Sequence, residues 1–234
     1  MCTSTSLTSV PSFMFVKKEA AKHGIVIDGA RADLEKMHER KNKVVKTFNS
    51  GVRSLMKTNK VTVFEGLGTI NAPGKVSVKS SSGETQEIET KNIVIATGSA
   101  PMELPFAKFD GKTIVSSTEA LEFTEPPKKL IVIGAGAVGL ELGSVWNRLG
   151  SEVTMLEFLP RIALGFDLEL SNLLQRLLTA QGMTFHLEAN VTAVKVDDGR
   201  ATVTATKDGQ ELKFEADKVL VSVGRRPFSD GLGA

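Results

Sequence analysis

The 234-residue chain has a single cysteine, Cys2. A lone thiol excludes an internal disulfide and a Cys-based zinc site, and beside the initiator Met it is given no role. Long apolar runs are also lacking. The strongest, "KKLIVIGAGAVGL" from Lys128 to Leu140, is broken by glycine and falls short of the ~20 residues of a membrane helix, so no membrane partner is expected. Charge of one sign is scarce as well: 29 basic and 27 acidic residues are interleaved to a net +2, which argues against nucleic acid. The opening "MCTSTSLTSVPSFMFV" carries no charge, no long apolar core and none of the arginines of a transit peptide, so it reads as a disordered or misjoined terminus. His23 and His38 have no His, Cys or carboxylate partner at a ligand spacing, so they are predicted to be solvated side chains and no metal site is expected.

What is present is ordinary globular composition, 41% hydrophobic and 24% charged, with room for one large domain or two. Residues from Ala30 to Lys60 place Leu34, Met37, Val44, Phe48, Val52 and Leu55 at mostly helical spacings. Strands are predicted in "KVTVFEGLGTI", "KVSVKSS" and "TQEIETKNIVIATGS", separated by the turn formers "NAPG" and "SSGE". Within the last of them, "NIVIA" reads as a strand covered on both faces. The prolines of "EPPKK" cannot join a central strand, and a domain boundary is placed there.

An alternation follows: strand 130–134, helix 137–149, strand 152–158, helix 167–181 and strand 183–188. A hairpin around Asp208-Gly209 and a last buried strand, "KVLVSVG", complete it. Strands alternating with helices imply a parallel sheet, hence an α/β fold. At the first strand–helix junction Gly134, Gly136 and Gly139 form G-x-G-x-x-G, and Glu157 ends the next strand, 157 − 139 = 18 residues on. Each glycine has a mechanical reason: a tight turn, close approach of backbone to a pyrophosphate, and close packing of helix on strand. The helix N-terminus holds the phosphates. Glu157 suits a ribose diol and repels a 2′-phosphate, which favours NAD over NADP, with Arg161 as a counter-signal. The competing reading is a glycine-rich turn that binds nothing.

With these residues named, "GAGAVGLELGSVWNRLGSEVTMLEFLPRI", "NIVIATGS", "TIVSSTEAL" and "VSVGRRPF" resemble dihydrolipoyl dehydrogenases, a family of flavin disulfide reductases. The resemblance runs from about His23 to the end. It implies a Rossmann-like NAD-binding domain over 126–234, preceded by an incomplete FAD-binding domain of the same general fold over 23–125 and an unmatched segment 1–22. It implies that Gly134, Ala135, Gly136, Ala137, Val138, Gly139, Leu140 and Glu141 line the NAD pyrophosphate and nicotinamide side. Glu157 would hold the adenosine ribose, Val191 would line the adenine pocket, and Gly224 would contact the cofactor. Gly68 and the Thr97-Gly98-Ser99 turn would touch FAD.

In the family, electrons pass from dihydrolipoamide through a redox disulfide and FAD to NAD. The partners are lipoyl domains of 2-oxo acid dehydrogenase complexes, and the enzyme is a homodimer built on an interface domain. The compartment is the mitochondrial matrix in eukaryotes and the cytoplasm in bacteria. Three family features are missing: the first glycine motif, the "GGTCLNVGC" cysteine pair and the His-Glu pair. None of His23, His38 and His186 sits in the family's H-P-T context. The chain therefore reads as a fragment, inactive alone and with no catalytic residue of its own. The alternatives are a stand-alone NAD-binding module and an NADH-dependent flavin oxidase or reductase.

Overall fold

The computed structural model describes residues 9–233; Cys2 lies outside them. The elements in chain order are α1 (Leu34–Thr58), β1 (Leu67–Ala72), β2 (Lys75–Lys79), β3 (Thr85–Glu89), β4 (Ser99–Pro101), β5 (Ile114–Val115) and α2 (Ser117–Ala120). Then come β6 (Lys129–Ile133), α3 (Ala137–Leu149), β7 (Glu152–Leu156), α4 (Leu168–Ala180) and β8 (Thr184–His186). The last are β9 (Asn190–Asp197), β10 (Arg200–Lys207), β11 (Gln210–Ala216), β12 (Lys218–Val221) and β13 (Arg225–Pro227). By compactness they form two units. One holds the described residues up to Val45 with Pro101–Gly224, and the other holds Lys46–Ala100 with the residues from Arg225 onward. α1 runs unbroken through the division.

The first unit is built on a parallel sheet of five strands in the order β5-β12-β6-β7-β8. Its strands are apolar on both faces because both faces are covered. In β6, Leu130 and Val132 join Leu142, Trp146 and Met155 on the helical side. Their neighbours Ile131 and Ile133 join Val203, Ala205 and Val219 beneath a second, antiparallel sheet, β11-β10-β9. The Asp208-Gly209 hairpin predicted from sequence is β10 and β11 of that sheet, and β9 is the strand the sequence reading did not single out. α3 closes on Gly150, whose φ of 115° suits a left-handed cap, and α4 opens on Asp167, whose side chain accepts from Glu169 N–H at 2.8 Å. The Pro126-Pro127 pair lies inside this unit, since β5 and α2 precede it and belong here.

The second unit holds an antiparallel meander, β1-β2-β3, turned at Gly74 and Gly83, together with a two-stranded pair, β13-β4. Two predicted strand stretches form only in part: β1 takes up the end of "KVTVFEGLGTI", and β3 and β4 the two ends of "TQEIETKNIVIATGS". Residues 61–66 and "NIVIA" have no regular structure, and Val63 and Val94 are 57% and 88% exposed. Among the described residues no strand pairs with either segment, so their β-forming side chains have no ladder to join.

Two further expectations are corrected. Residues 9–23 are helical throughout, passing through a π turn (Phe15–Glu19) and a 3-10 turn (Ala20–His23) to a left-handed Gly24. Val10 and Ala20 are buried, and that burial supports order where charge-poor sequence suggested none. His38 is not simply solvated: its ring N–H donates to the Phe123 carbonyl at 2.9 Å. One turn along α1, Lys41 is 1% exposed and donates to the Leu121 carbonyl (2.9 Å) and to Glu122 (2.5 Å).

Candidate functional site

The glycine-rich junction lies where β6 passes into α3, at the carboxyl edge of the parallel sheet. Gly134 has a φ of 98°, and a Cβ there would strike the backbone of Ser222, one residue past β12. Gly139 lies in the first turn of α3 against the same place: a Cβ would meet the Gly134 carbonyl and the Ser222 hydroxyl. Those two glycines let strand, helix and the end of β12 converge. Gly136 differs. It is exposed, extended (φ −77°, ψ 179°), and nothing lies within 4 Å of where its Cβ would be. It also provides no side-chain cap for α3. The first N–H groups of a helix have no intrahelical acceptor, so this end presents donors and the positive end of the helix dipole to the open side.

Residues around the junction sort by face. Ala137, Val138 and Glu141 are exposed, whereas Ala135, Gly139 and Leu140 are buried. Glu141 edges a groove of about 310 Å³ between α3 and α4, with Ala137, Leu140, Phe166, Leu170 and Leu174 among its walls. Ser222, which sequence reasoning missed, donates its hydroxyl to the carbonyls of Ile133 (3.1 Å) and Gly134 (2.9 Å). No local pattern marks a serine 88 residues away as the partner of a glycine loop.

Glu157 follows β7 and is 9% exposed. Its Oε2 accepts the Ala135 N–H at 2.6 Å and its Oε1 the Leu159 N–H at 2.9 Å. The backbone N–H of Glu157 donates to the His186 carbonyl, and its carbonyl accepts from Ala189 N–H. The acidic residue and the glycine loop are therefore in direct contact. Arg161 donates to the Leu164 carbonyl at 2.9 Å, within its own loop. His186 ends β8, packs edge-on to Phe214 at 4.8 Å, and is held below the usual histidine range by burial and then by the charge of Lys207. Val191 is 8% exposed, its side chain in the apolar cluster with Leu156 and Ala189. Gly224 has a φ of 128°, and its carbonyl accepts the Met102 N–H.

The remaining site residues lie in the second unit. Gly68 pairs with Val78 in the meander. Gly98, with a φ of 78°, accepts the Phe228 N–H through its carbonyl. Ser99 accepts Arg225 through its hydroxyl (2.7 Å) and its carbonyl (2.5 Å). Thr97 is exposed. Among the described residues no group of three or more His, Cys, Asp and Glu is placed to hold a metal, and no helix is long and apolar enough to cross a membrane.

Residues 9–234 match the family described as pyridine nucleotide-disulphide oxidoreductase. The chain is 50% identical over 217 residues to the mitochondrial dihydrolipoyl dehydrogenase of Dictyostelium discoideum, covering 91% of this chain and 44% of that protein. It is 45% identical over 220 residues to the mouse mitochondrial enzyme of the same name, covering 92% of this chain and 43% of the other. The chain thus spans under half the length of these relatives. Among solved structures, LpdA of Mycobacterium tuberculosis superposes with a TM-score of 0.87 at 24% identity, over 99% of this chain and 50% of that one. The flavoprotein disulfide reductase RclA of Escherichia coli superposes with a TM-score of 0.76 at 22% identity, over 99% and 48%. At those identities the likeness speaks for the fold.

Proposed function

We propose that this chain, which belongs to the pyridine nucleotide-disulphide oxidoreductase family, is the nucleotide-binding part of a dihydrolipoyl dehydrogenase, and that its first unit binds NAD in preference to NADP. The observation that carries this reading is the contact of the glycine junction with Glu157: an open Gly136, an uncapped helix end and a carboxylate at the loop. These residues fit a dinucleotide. The N–H groups at the start of α3 would hold the pyrophosphate, and a side chain at Gly136 would fill the space it needs. The carboxylate of Glu157 would accept the ribose hydroxyls and repel a 2′-phosphate. Glu141, Val191 and Gly224 would border the nicotinamide and adenine ends. When bound, NAD supplies the hydride acceptor; the residues named here orient it and take no proton.

For FAD the residues present do not suffice. Gly68, Thr97, Gly98 and Ser99 offer turns, but the described part of the second unit has no second glycine loop opening a helix, so we propose an incomplete flavin site. The chain as it stands is proposed to be inactive with dihydrolipoamide. Accepting two electrons from a dithiol requires a disulfide, hence two cysteines, and there is one. The proposed partners of the whole enzyme are the lipoyl domains of 2-oxo acid dehydrogenase complexes, and the whole enzyme is proposed to be a homodimer. The relatives' names carry the word mitochondrial, which supports a mitochondrial location; we propose the matrix if the source is eukaryotic, with the cytoplasm as the bacterial counterpart.

Titration of NADH and NADPH into the purified chain tests the reading: NADH binds more tightly, and tighter NADPH binding overturns it. Gly136→Val should weaken NADH by roughly tenfold or more, because its side chain occupies the pyrophosphate approach. Unchanged affinity would leave an ordinary turn. With dihydrolipoamide, FAD and NAD supplied, no NADH absorbance should develop; turnover that survives Cys2→Ser would show the inactive reading to be wrong.

A further inference from the structure

The carboxylate expected to read the ribose is already engaged with the loop expected to hold the phosphates. Ala135 is bonded at both ends of its backbone: its N–H donates to Glu157 Oε2 at 2.6 Å, and its carbonyl accepts the Ala163 N–H at 2.9 Å. Both partners come from the segment after β7. That segment is fastened in turn. Leu159 N–H donates to Glu157 Oε1 at 2.9 Å, Arg161 to the Leu164 carbonyl at 2.9 Å, and the Ser171 hydroxyl to the Ala163 carbonyl at 3.3 Å. Ala163 adopts a left-handed φ of 48°, unusual for alanine, and is 5% exposed. A buried residue keeps that conformation where its surroundings hold it in place.

From this geometry we infer that Glu157 is a positioning residue as well as a ribose ligand. With residues 159–171 it forms a clasp that sets the glycine loop in its phosphate-binding shape before any cofactor arrives. The inference rests on the NAD reading above and deepens it. A carboxylate has about four acceptor directions, and the clasp uses two, so the outer ones remain for a ribose diol. Recognition of the adenosine ribose and shaping of the pyrophosphate site then depend on one side chain. Arg161 gives one of its five N–H donors to the Leu164 carbonyl and so is part of the clasp.

The substitution that separates the roles is Glu157→Gln. It keeps the shape and one acceptor oxygen but turns an NH2 group toward one of the two N–H donors. Binding is measured at a temperature where both proteins are folded, with two probes: NADH and its analogue lacking both the 2′- and 3′-hydroxyls of the adenosine ribose. If Glu157 positions the loop, the substitution weakens both probes, the analogue by about five- to tenfold, as for one ordinary hydrogen bond. If Glu157 acts through the ribose alone, NADH weakens and the analogue does not, and the clasp is overturned.

Amide hydrogen exchange on the unsubstituted, cofactor-free chain gives a readout independent of binding. The Ala135 and Leu159 amides should exchange far more slowly than that of exposed Ala137. Equal rates at Ala135 and Ala137 overturn the clasp even if NADH binds well. Should the native chain bind no NADH, the NAD reading fails, and the clasp is then decided by exchange alone.

Discussion

In the first unit two apolar clusters close over both faces of a parallel sheet, and Val115, Val132, Val153 and Leu220 are fully buried. In the second, not one described residue between Lys46 and Ala100, or from Arg225 onward, is buried. The difference does not lie in apolar content. Val61, Val63, Phe64, Ile93, Val94 and Ile95 are as strand-like as "LIVI" in β6, yet all are exposed. α1 shows the same change along one helix. Leu34 packs against the first unit's core, while Phe48, Val52 and Leu55 are 53%, 48% and 61% exposed. An apolar run is a demand for cover: the first unit's parallel sheet meets it, although α4 leaves Leu168, Leu170 and Leu177 56%, 57% and 51% exposed, and the runs of the second unit go uncovered. Unpaired edges and exposed apolar patches are the consequence in the second.

The strongest test of that contrast is limited proteolysis. Segments with few buried contacts open at little cost, so cleavage should begin within 46–100, at rates about tenfold or more above those in the core, and leave a resistant product containing 130–223. Mass spectrometry of the first products decides it; a first cut inside 130–223 breaks the comparison.

One chemical change can also be given opposite signs in the two units. Gly139→Ala forces a Cβ into the Gly134 carbonyl and Ser222, and overpacking of that kind costs about 1–3 kcal/mol. Gly51→Ala, in the helix but with nothing near its Cβ, should stabilise by about 0.5–1 kcal/mol. Denaturant unfolding of both variants is the measurement. Two destabilisations of similar size would show the second unit to be packed more tightly than its exposure implies.

Much of the first unit was legible from sequence because its signals are local. The helix predicted over 137–149 is α3 to the residue, and the turns at Gly74, Gly83 and Asp208-Gly209 come from residue types that favour them. "NIVIA" misled for a physical reason: propensity and apolarity describe what a segment can do, and pairing depends on a neighbour. The bonds of His38 to Phe123, Lys41 to Leu121 and Ser222 to Gly134 span 85, 80 and 88 residues, beyond the reach of any periodicity. Glu157 lies between these cases. Its position after β7 was readable, but its bond to Ala135 was not. The motif "SSTEAL" has a structural explanation too. Ser116 and Glu119 form a capping box on α2, and Ala120 accepts the Trp146 indole N–H at 3.1 Å, tying it to "GSVWNRLG".

That tie sharpens the contrast at smaller scale. Ser116→Ala removes a cap from a short helix that joins the first unit's core, and should cost about 1 kcal/mol. The loss should appear in the unfolding of the first unit and leave early cleavage within 46–100 unchanged. If cleavage in the second unit quickens equally, the two units unfold as one and the contrast is only of exposure.

The smallest expected effect is a pH dependence confined to the first unit. His186 is held below the usual histidine range by burial and then by Lys207, with Phe214 against its ring. Its folded value therefore lies below its unfolded one, near 6.5. The unfolded chain takes up the proton first as pH falls, so the stabilising contribution is whole above about pH 6.5 and is lost as pH drops through the lowered folded value. Carboxylates add their own losses in more acidic solution, so the diagnostic quantity is the difference between the native chain and His186→Gln. Between pH 7.5 and 5.5 the native chain should lose more thermal stability than the variant. The excess should shrink in Lys207→Gln, which removes the second cause of the shift. Parallel pH curves for the native chain and His186→Gln would mean that the imidazole titrates alike folded and unfolded, and that burial at the β8 edge is looser than its contact with Phe214 indicates.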